Sequence, residues 1–286
     1  MAVPVHVVIP THTTRHLHRT LLGYAHQAVP ATSITVSCDT DDPRIGTLLE
    51  QVVAETGTPL TQVYRARHPE ARRSQTRNNG IRSLLGRGLA EEDRLLIVDG
   101  DCIPAADLIA RHAEHASRGE FVIGNYIPLD ERTTSGIPSD AGMHAYLEAN
   151  VAAEQLARLD RIHRKARRHQ VLRRFHLTKA HKPKIVGSNT SFRAGSLLAI
   201  NGFDEEYMEW GYEDDDLGKR LHRSGARSVI AVREARIYHQ WHPTSARAAW
   251  QSGSVAERFH SRLPTRCERG IENPVPQHEL RERSLS

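Results

Sequence analysis

Between Val5 and Tyr126 the chain alternates short apolar runs with helix-like stretches, and this alternation limits the fold more than any other feature. Val5–Ile9, Ser33–Ser37, Gln62–Arg65, Arg94–Val98 and Phe121–Tyr126 read as strands. Leu17–Gln27, Pro43–Glu55 (with Pro at its start), Ser74–Leu85 and Pro104–Ser117 read as the helices between them. Strands separated by helices form a mostly parallel sheet covered on both faces, because each crossover lays its helix on one side. The expected class is α/β, with a Rossmann-like, mostly parallel sheet flanked by helices. Such sheets bind ligands beyond the carboxyl ends of their strands. Pro10, Thr11, Asp39, Asp99, Gly100 and Asp101 all fall at those ends, so one crevice should collect them.

With 286 residues the chain suits one large α/β domain or two small ones. The net charge is +5, with a pI near 9.3, which fits a phosphorylated small molecule, a membrane surface or nucleic acid. Cys38, Cys102 and Cys267 are odd in number and lack metal spacing, which favours a reducing, cytoplasmic compartment. The N-terminus lacks a basic leader, and no apolar stretch is long enough to span a membrane. Ile127–Asp140 reads as a loop and Met143–Leu177 as an interrupted helix. Around the narrow stripe Leu156, Leu159, Ile162 and Ala166 lie Arg161, Arg164, Lys165, Arg167, Arg168, Arg173 and Arg174. Most such basic runs are solvated faces; the alternative is a contact for a membrane, a nucleic acid or an anionic acceptor. Ala194–Ile200 and Glu213–Ser224 read as helices, and Ser228–Val232 and Ala235–Tyr238 as strands. The division expected is 1–126, a helical basic insert at 127–184, 185–261, and a flexible tail at 262–286.

Two acidic clusters carry the chemistry. Asp99-Gly100-Asp101 ends an apolar strand, where two carboxylates can point into one crevice and Gly100 lets a ligand approach the backbone. Hard oxygen ligands there suit Mg²⁺ or Mn²⁺, and a turn after a strand has the same composition. His239 at a strand end would favour Mn²⁺ if it joined them. The second cluster, Glu213–Asp216, follows Trp210-Gly211-Tyr212. Capping and the helix dipole account for one or two acidic residues in a first turn, and less readily for four. Successive residues point about 100° apart, so the four cannot share one role. One of them in a partly dry pocket would serve as a general base. Arg77, in Arg77-Asn78-Asn79-Gly80, could hold a phosphate or nucleobase, or be a solvated helix charge.

Taken together, these residues resemble a family 2 glycosyltransferase of the GT-A fold. Val7-Val8-Ile9-Pro10-Thr11 is similar to that family's opening strand, Asp39 to the acid after its second strand, Arg77–Gly80 to its Arg-Asn-x-Gly helix start, and Asp99–Asp101 to its DxD motif. Gly187–Arg193, Asn201–Glu205 and Trp210–Asp216 resemble its C-terminal galactosyltransferase segment. The resemblance implies inverting transfer from a UDP-sugar to the hydroxyl of a glycan, a lipid-linked or another acceptor. It implies that Asp101 and His239 hold Mn²⁺ or Mg²⁺, and that Pro10, Thr11, Asp39, Arg77, Asp99 and Gly100 contact the nucleotide-sugar. Asp214 would be the base, and Trp210, Gly211 and Glu213 would receive the acceptor. The resemblance does not cover residues 127–184; by its charge alone the basic insert would seat an anionic acceptor or give peripheral membrane contact, with nucleic acid disfavoured. The rival expectations are a nucleotidyltransferase acting on a sugar phosphate, and a basic nucleic-acid or membrane-surface binding protein with a degenerate site.

Overall fold

The computed structural model describes residues 3–208, 211–243 and 254–286. Its first half is the expected alternation: β1 (Val5–Thr11), α1 (Leu17–Ala25), β2 (Ser33–Cys38), α2 (Pro43–Thr56), β3 (Leu60–Tyr64), α3 (Arg73–Gly86) and β4 (Arg94–Ile97). β5 (Cys102–Pro104), α4 (Leu108–His115), β6 (Phe121–Ile123) and β7 (Asn125–Pro128) follow. Then come α5 (Glu131–Ser135), α6 (Met143–Ala149) and α7 (Ala153–Arg173). The remaining elements are β8 (Thr190–Arg193), α8 (Ala194–Ala199), α9 (Glu213–Arg223), β9 (Ser228–Ile230), β10 (Arg236–His239), α10 (Ser254–His260) and β11 (Arg281–Leu285).

The main sheet has eight strands in the order β11-β3-β2-β1-β4-β8-β6-β9. β3, β2, β1 and β4 run parallel, while β8 lies antiparallel between β4 and β6. A three-stranded sheet, β5-β10-β7, stands beside it. Both faces of the main sheet are buried, and the pleat sorts neighbours accordingly. Val8, Leu95 and Ile97 enter one core, and Val5, Val7, Ile9, Leu96 and Val98 enter the other. Side chains alternate along a strand, so a one-residue slip would exchange the two cores. Each fully buried Val, Leu or Ile contributes about 1.5–3 kcal/mol.

α3 sits unusually close to β1. A Cβ on Gly80 would lie 2.5 Å from Val8 Cγ1, so only glycine fits there. The close approach brings Arg77 and Asn78, on the same helix, beneath the carboxyl ends of β1 and β4.

Three sequence expectations are corrected. The stretch expected as a loop at Ile127–Asp140 contains α5, capped by Asp130, whose side chain accepts from Thr133 N. Pro104–Ser117 is a helix only from Leu108, because Cys102–Pro104 pairs with β10. The interruption expected within Met143–Leu177 is present, between α6 and α7. The tail at 262–286 is no tail: Arg281–Leu285 pairs antiparallel with β3, Arg283 bonds Gln62, and Ile271 is buried in the core. Backbone pairing and long polar side chains hold a segment whose composition offers little to bury. Among the described residues no helix is long and apolar enough to cross a membrane.

Candidate active site

The parallel register sets the site's floor. Thr11 pairs with Cys38, and the backbone N–H of Asp39 donates to Thr11 O at 2.8 Å, so the ends of β1 and β2 are level. The Asp39 carboxylate is held by Arg65 Nη2 at 2.6 Å and by the backbone N–H of Arg72 at 3.1 Å. Arg65 is in turn bonded by Gln75 and by Gln277. Thr11 Oγ1 donates to Thr13 O, turning the chain after β1 across the crevice. Gly100 packs against that turn, where a Cβ would stand 3.1 Å from Thr11 Oγ1.

Asp101 faces two imidazoles. Its Oδ2 lies 3.7 Å from His239 Nε2 and 3.3 Å from His242 Nε2. The pairing of β5 with β10 puts His239 directly opposite Cys102, and ligand atoms of Asp101, Cys102 and His239 lie within 4.8 Å of one another. Burial raises the Cys102 thiol well above its ordinary pKa, with Asp101 and Asp99 adding to the shift. Beside this buried thiol, the partly exposed donors are the carboxylate of Asp101 and the imidazole of His239. That set fits a hard or borderline divalent cation and disfavours a thiolate-seeking one. The sequence reading named Asp101 and His239 and missed His242; its signal was the three-residue spacing after His239.

Arg77 joins the two acidic clusters. It is 2% exposed and lies 3.6 Å from Asp99, 3.5 Å from Glu213 and 3.0 Å from Asp214, with its guanidinium over the Phe203 ring. Burial alone would lower its pKa, but Asp214, Asp99 and Glu213 outweigh it and the net shift is upward. Arg77, expected at the nucleotide-sugar, is enclosed by the carboxylates of Asp99, Glu213 and Asp214. Asn78, beside it, exchanges hydrogen bonds with Phe203 and donates to Glu205, which fixes α3 against Asn201–Glu205.

The four carboxylates opening α9 each have a separate environment. Tyr212, at φ 62°, and Gly211, at φ 124°, turn the chain sharply into the helix. Glu213 is buried between the Gly211 N–H, at 3.1 Å, and Arg77. Glu213, expected to grip an acceptor, thus has one oxygen on the Gly211 N–H and the other toward Arg77. Asp215 pairs with Lys184 at 3.1 Å, and Asp216 with Arg220 at 2.6 Å in the interior. Asp214 differs from the others. Its Oδ1 accepts from Arg77 and its Oδ2 from the Gly187 N–H at 3.1 Å, yet 26% of its side chain stays open to solvent. Burial among dense neighbours pushes its carboxyl up to about 6 from 3.8, with Arg77 opposing and Glu213 and Asp99 reinforcing the shift. A Cβ at position 187 would lie 2.3 Å from Asp214 Oδ1, so Gly187 is the one residue type that admits this carboxylate. Tyr212 stacks on Phe259, with centroids 4.5 Å apart, and so belongs to a small apolar cluster. Trp210, expected on the acceptor side, lies outside the described residues.

Asp99 and Asp214 thus border one crevice, joined through Arg77, and Asp101 with the imidazoles of His239 and His242 stands beside Asp99. Residues 166–243 match the family model described as the N-terminal domain of galactosyltransferase. Over 57 residues the chain is 40% identical to a chondroitin synthase of Escherichia coli, a match covering 20% of this chain and 8% of that protein. Among solved structures it is similar to S. aureus TarS 1-349 in complex with UDP-GlcNAc, with a TM-score of 0.55 and 15% identity over 90% of this chain and 63% of that one. It is also similar to GalNAc-T7 with UDP, GalNAc and Mn²⁺, with a TM-score of 0.54 and 13% identity over 83% of this chain and 44% of that one. The chain therefore spans less than two thirds of the length of these relatives. The chain therefore has the GT-A fold of these structures, and its residues 166–243, which include the segment that opens α9, match a galactosyltransferase family model.

Proposed function

We propose that the chain is an inverting, metal-dependent glycosyltransferase that moves a sugar from a UDP-sugar to an acceptor hydroxyl. The observation that carries this reading is the Arg77 link, which makes the carboxylate after β4 and the carboxylate opening α9 parts of one site. Structures of two similar proteins hold a UDP-sugar, or UDP with Mn²⁺, on the same fold. Pro10, Thr11 and Asp39, at the level ends of β1 and β2, would receive the nucleoside, and Asp99 and Gly100 the ribose side of the donor. Asp101, His239 and His242 would hold Mn²⁺ or Mg²⁺. The cation's contribution is to neutralise charge on the departing diphosphate.

Asp214 does the proton work. The acceptor oxygen forms a bond to the anomeric carbon while the bond from that carbon to the diphosphate breaks and UDP departs. The acceptor's proton passes to a free lone pair of the Asp214 carboxylate. A pKa near 6 leaves that carboxylate ionised at neutral pH and closer to the proton than an ordinary aspartate. Arg77 keeps Asp214 charged and aimed, and Gly187 N–H fixes its second oxygen. Glycans, lipid-linked sugars and other hydroxyl acceptors are the acceptor class, and the basic stretch at 161–184 lies in the chain just before Gly187.

The test is a screen of UDP-sugars for UDP release and for thermal stabilisation, each with and without Mn²⁺. Stabilisation by one UDP-sugar that requires the cation, with UDP released only when acceptor is added, is the expected result. Consumption of a nucleoside triphosphate with pyrophosphate release, or full turnover after chelation, would overturn it.

A further inference from the structure

The stretch from Arg161 to Lys184 holds ten Lys and Arg and no Asp or Glu. Removing its +10 from the chain's +5 leaves the rest of the molecule at −5. The chain's net positive charge therefore comes from this one segment, the remainder being net acidic. Most of that segment is the last half of α7, a helix of 21 residues in which Leu159 alone is fully buried. A helix with so little apolar surface against its own fold gains little from that fold.

Its outward face is organised. Arg164, Arg167, Arg168, Val171, Arg174 and Phe175 follow helical spacing along one side, and all are exposed. No Asp or Glu pairs with Arg164, Lys165, Arg168 or Arg174 among the described residues. Arg173 is used internally, donating to the carbonyls of Lys179, Ala180 and Lys182 and so folding the chain back after the helix. That fold-back leaves Phe175 65% exposed and Leu177 70% exposed at the helix's end, with Val171 at 52% one turn before. Three large apolar side chains exposed within seven residues of a basic stretch are the composition of a membrane or partner contact.

We propose that this face docks on an anionic lipid surface, with Arg164, Lys165, Arg167, Arg168 and Arg174 at the headgroups and Phe175 and Leu177 at the acyl boundary. Charge complementarity supplies the attraction, and the net negative charge of the remainder favours approach by this segment. The apolar pair separates a bilayer from a soluble polyanion: phosphate or sulfate groups on a polymer are met by cations alone, whereas Phe175 and Leu177 gain only where hydrocarbon is available. Ten residues beyond Leu177 the chain reaches Gly187, the backbone donor to Asp214. The docked face is thus continuous in sequence with the acceptor side of the crevice.

The inference stands apart from the transfer reading, because vesicle binding is measured without turnover. The experiment is flotation of the full chain with neutral phosphatidylcholine vesicles and with vesicles containing about 30% phosphatidylglycerol, and binding to heparin as the soluble polyanion. The wild-type chain should float only with the anionic vesicles, less so as salt rises. The variant R164Q/K165Q/R167Q/R168Q should lose about a hundredfold or more in vesicle affinity. The variant F175S/L177S should lose roughly tenfold on vesicles while keeping its heparin binding. Asp214→Asn should float as the wild type does. Failure of the wild type to float, equal flotation with neutral vesicles, or wild-type flotation by F175S/L177S would each overturn the proposal; the last would assign the face to soluble polyanions.

Discussion

The two most charged helices of the molecule use their charge in opposite ways. α9 opens with four carboxylates, and its first turn is almost wholly inside: three of the four are buried, and each has its own cation or backbone donor. α7 is twice as long and strongly basic, and its cations face outward with few acidic partners. Charge density in a sequence therefore says little about position. Partners decide it, because an unpaired buried charge costs several kcal/mol and a solvated one costs almost nothing.

The comparison is sharpened most by Asp214→Asn. If this carboxylate is the base, turnover should fall by about a thousandfold or more, while donor-dependent thermal stabilisation persists. Unchanged turnover would reduce α9 to an elaborately paired structural helix. Next, Gly187→Ala forces a methyl against Asp214 and should cost about a hundredfold in kcat, with the KM for donor nearly unchanged. Arg77→Met leaves Asp99, Glu213 and Asp214 facing one another and should destabilise the fold by about 3–5 kcal/mol in chemical unfolding. Arg164→Gln on α7 should shift stability by less than about 0.5 kcal/mol. Equal effects from the two arginines would erase the contrast. His242→Ala should abolish the part of the donor-induced thermal shift that depends on Mn²⁺, leaving the metal-free melting temperature in place.

The smallest effect is in pH. With the Asp214 carboxyl at about 6, kcat/KM should fall about tenfold per unit of pH below that value, and the apparent pKa belongs to the carboxylate cluster around Arg77. The stability sign runs the other way. Between 3.8 and 6 the folded chain keeps a proton that the unfolded chain has lost, so this group's contribution to stability declines as pH rises across that window. Asp214→Asn should flatten both responses.

Much of the frame was legible in the sequence because periodicity reports it. The strands β1, β2 and β4 end where their apolar runs end, and Asp39 and Asp99–Asp101 follow at once. The pairing of distant charges was not legible. Arg77 and Asp214 are separated by 137 positions, and nothing in local spacing assigns one guanidinium to three carboxylates rather than to a phosphate. For Glu213, its closeness to a helix start was visible in the sequence, and its enclosure by Gly211 and Arg77 was not. His242 was hidden among 18 histidines until β10 brought it to Asp101. β11 escaped because it is held by backbone pairing and by Arg283, and hydrophobic patterning registers neither.

That last strand has a consequence for how copies of the molecule meet. The outer hydrogen-bonding row of β3 is already occupied, so no second chain can extend the sheet there. The new border is Arg281-Glu282-Arg283, exposed or half-exposed and charged, which resists further strand addition. A truncation before Arg281 should therefore show itself as self-association, with β3 open to strands from other copies.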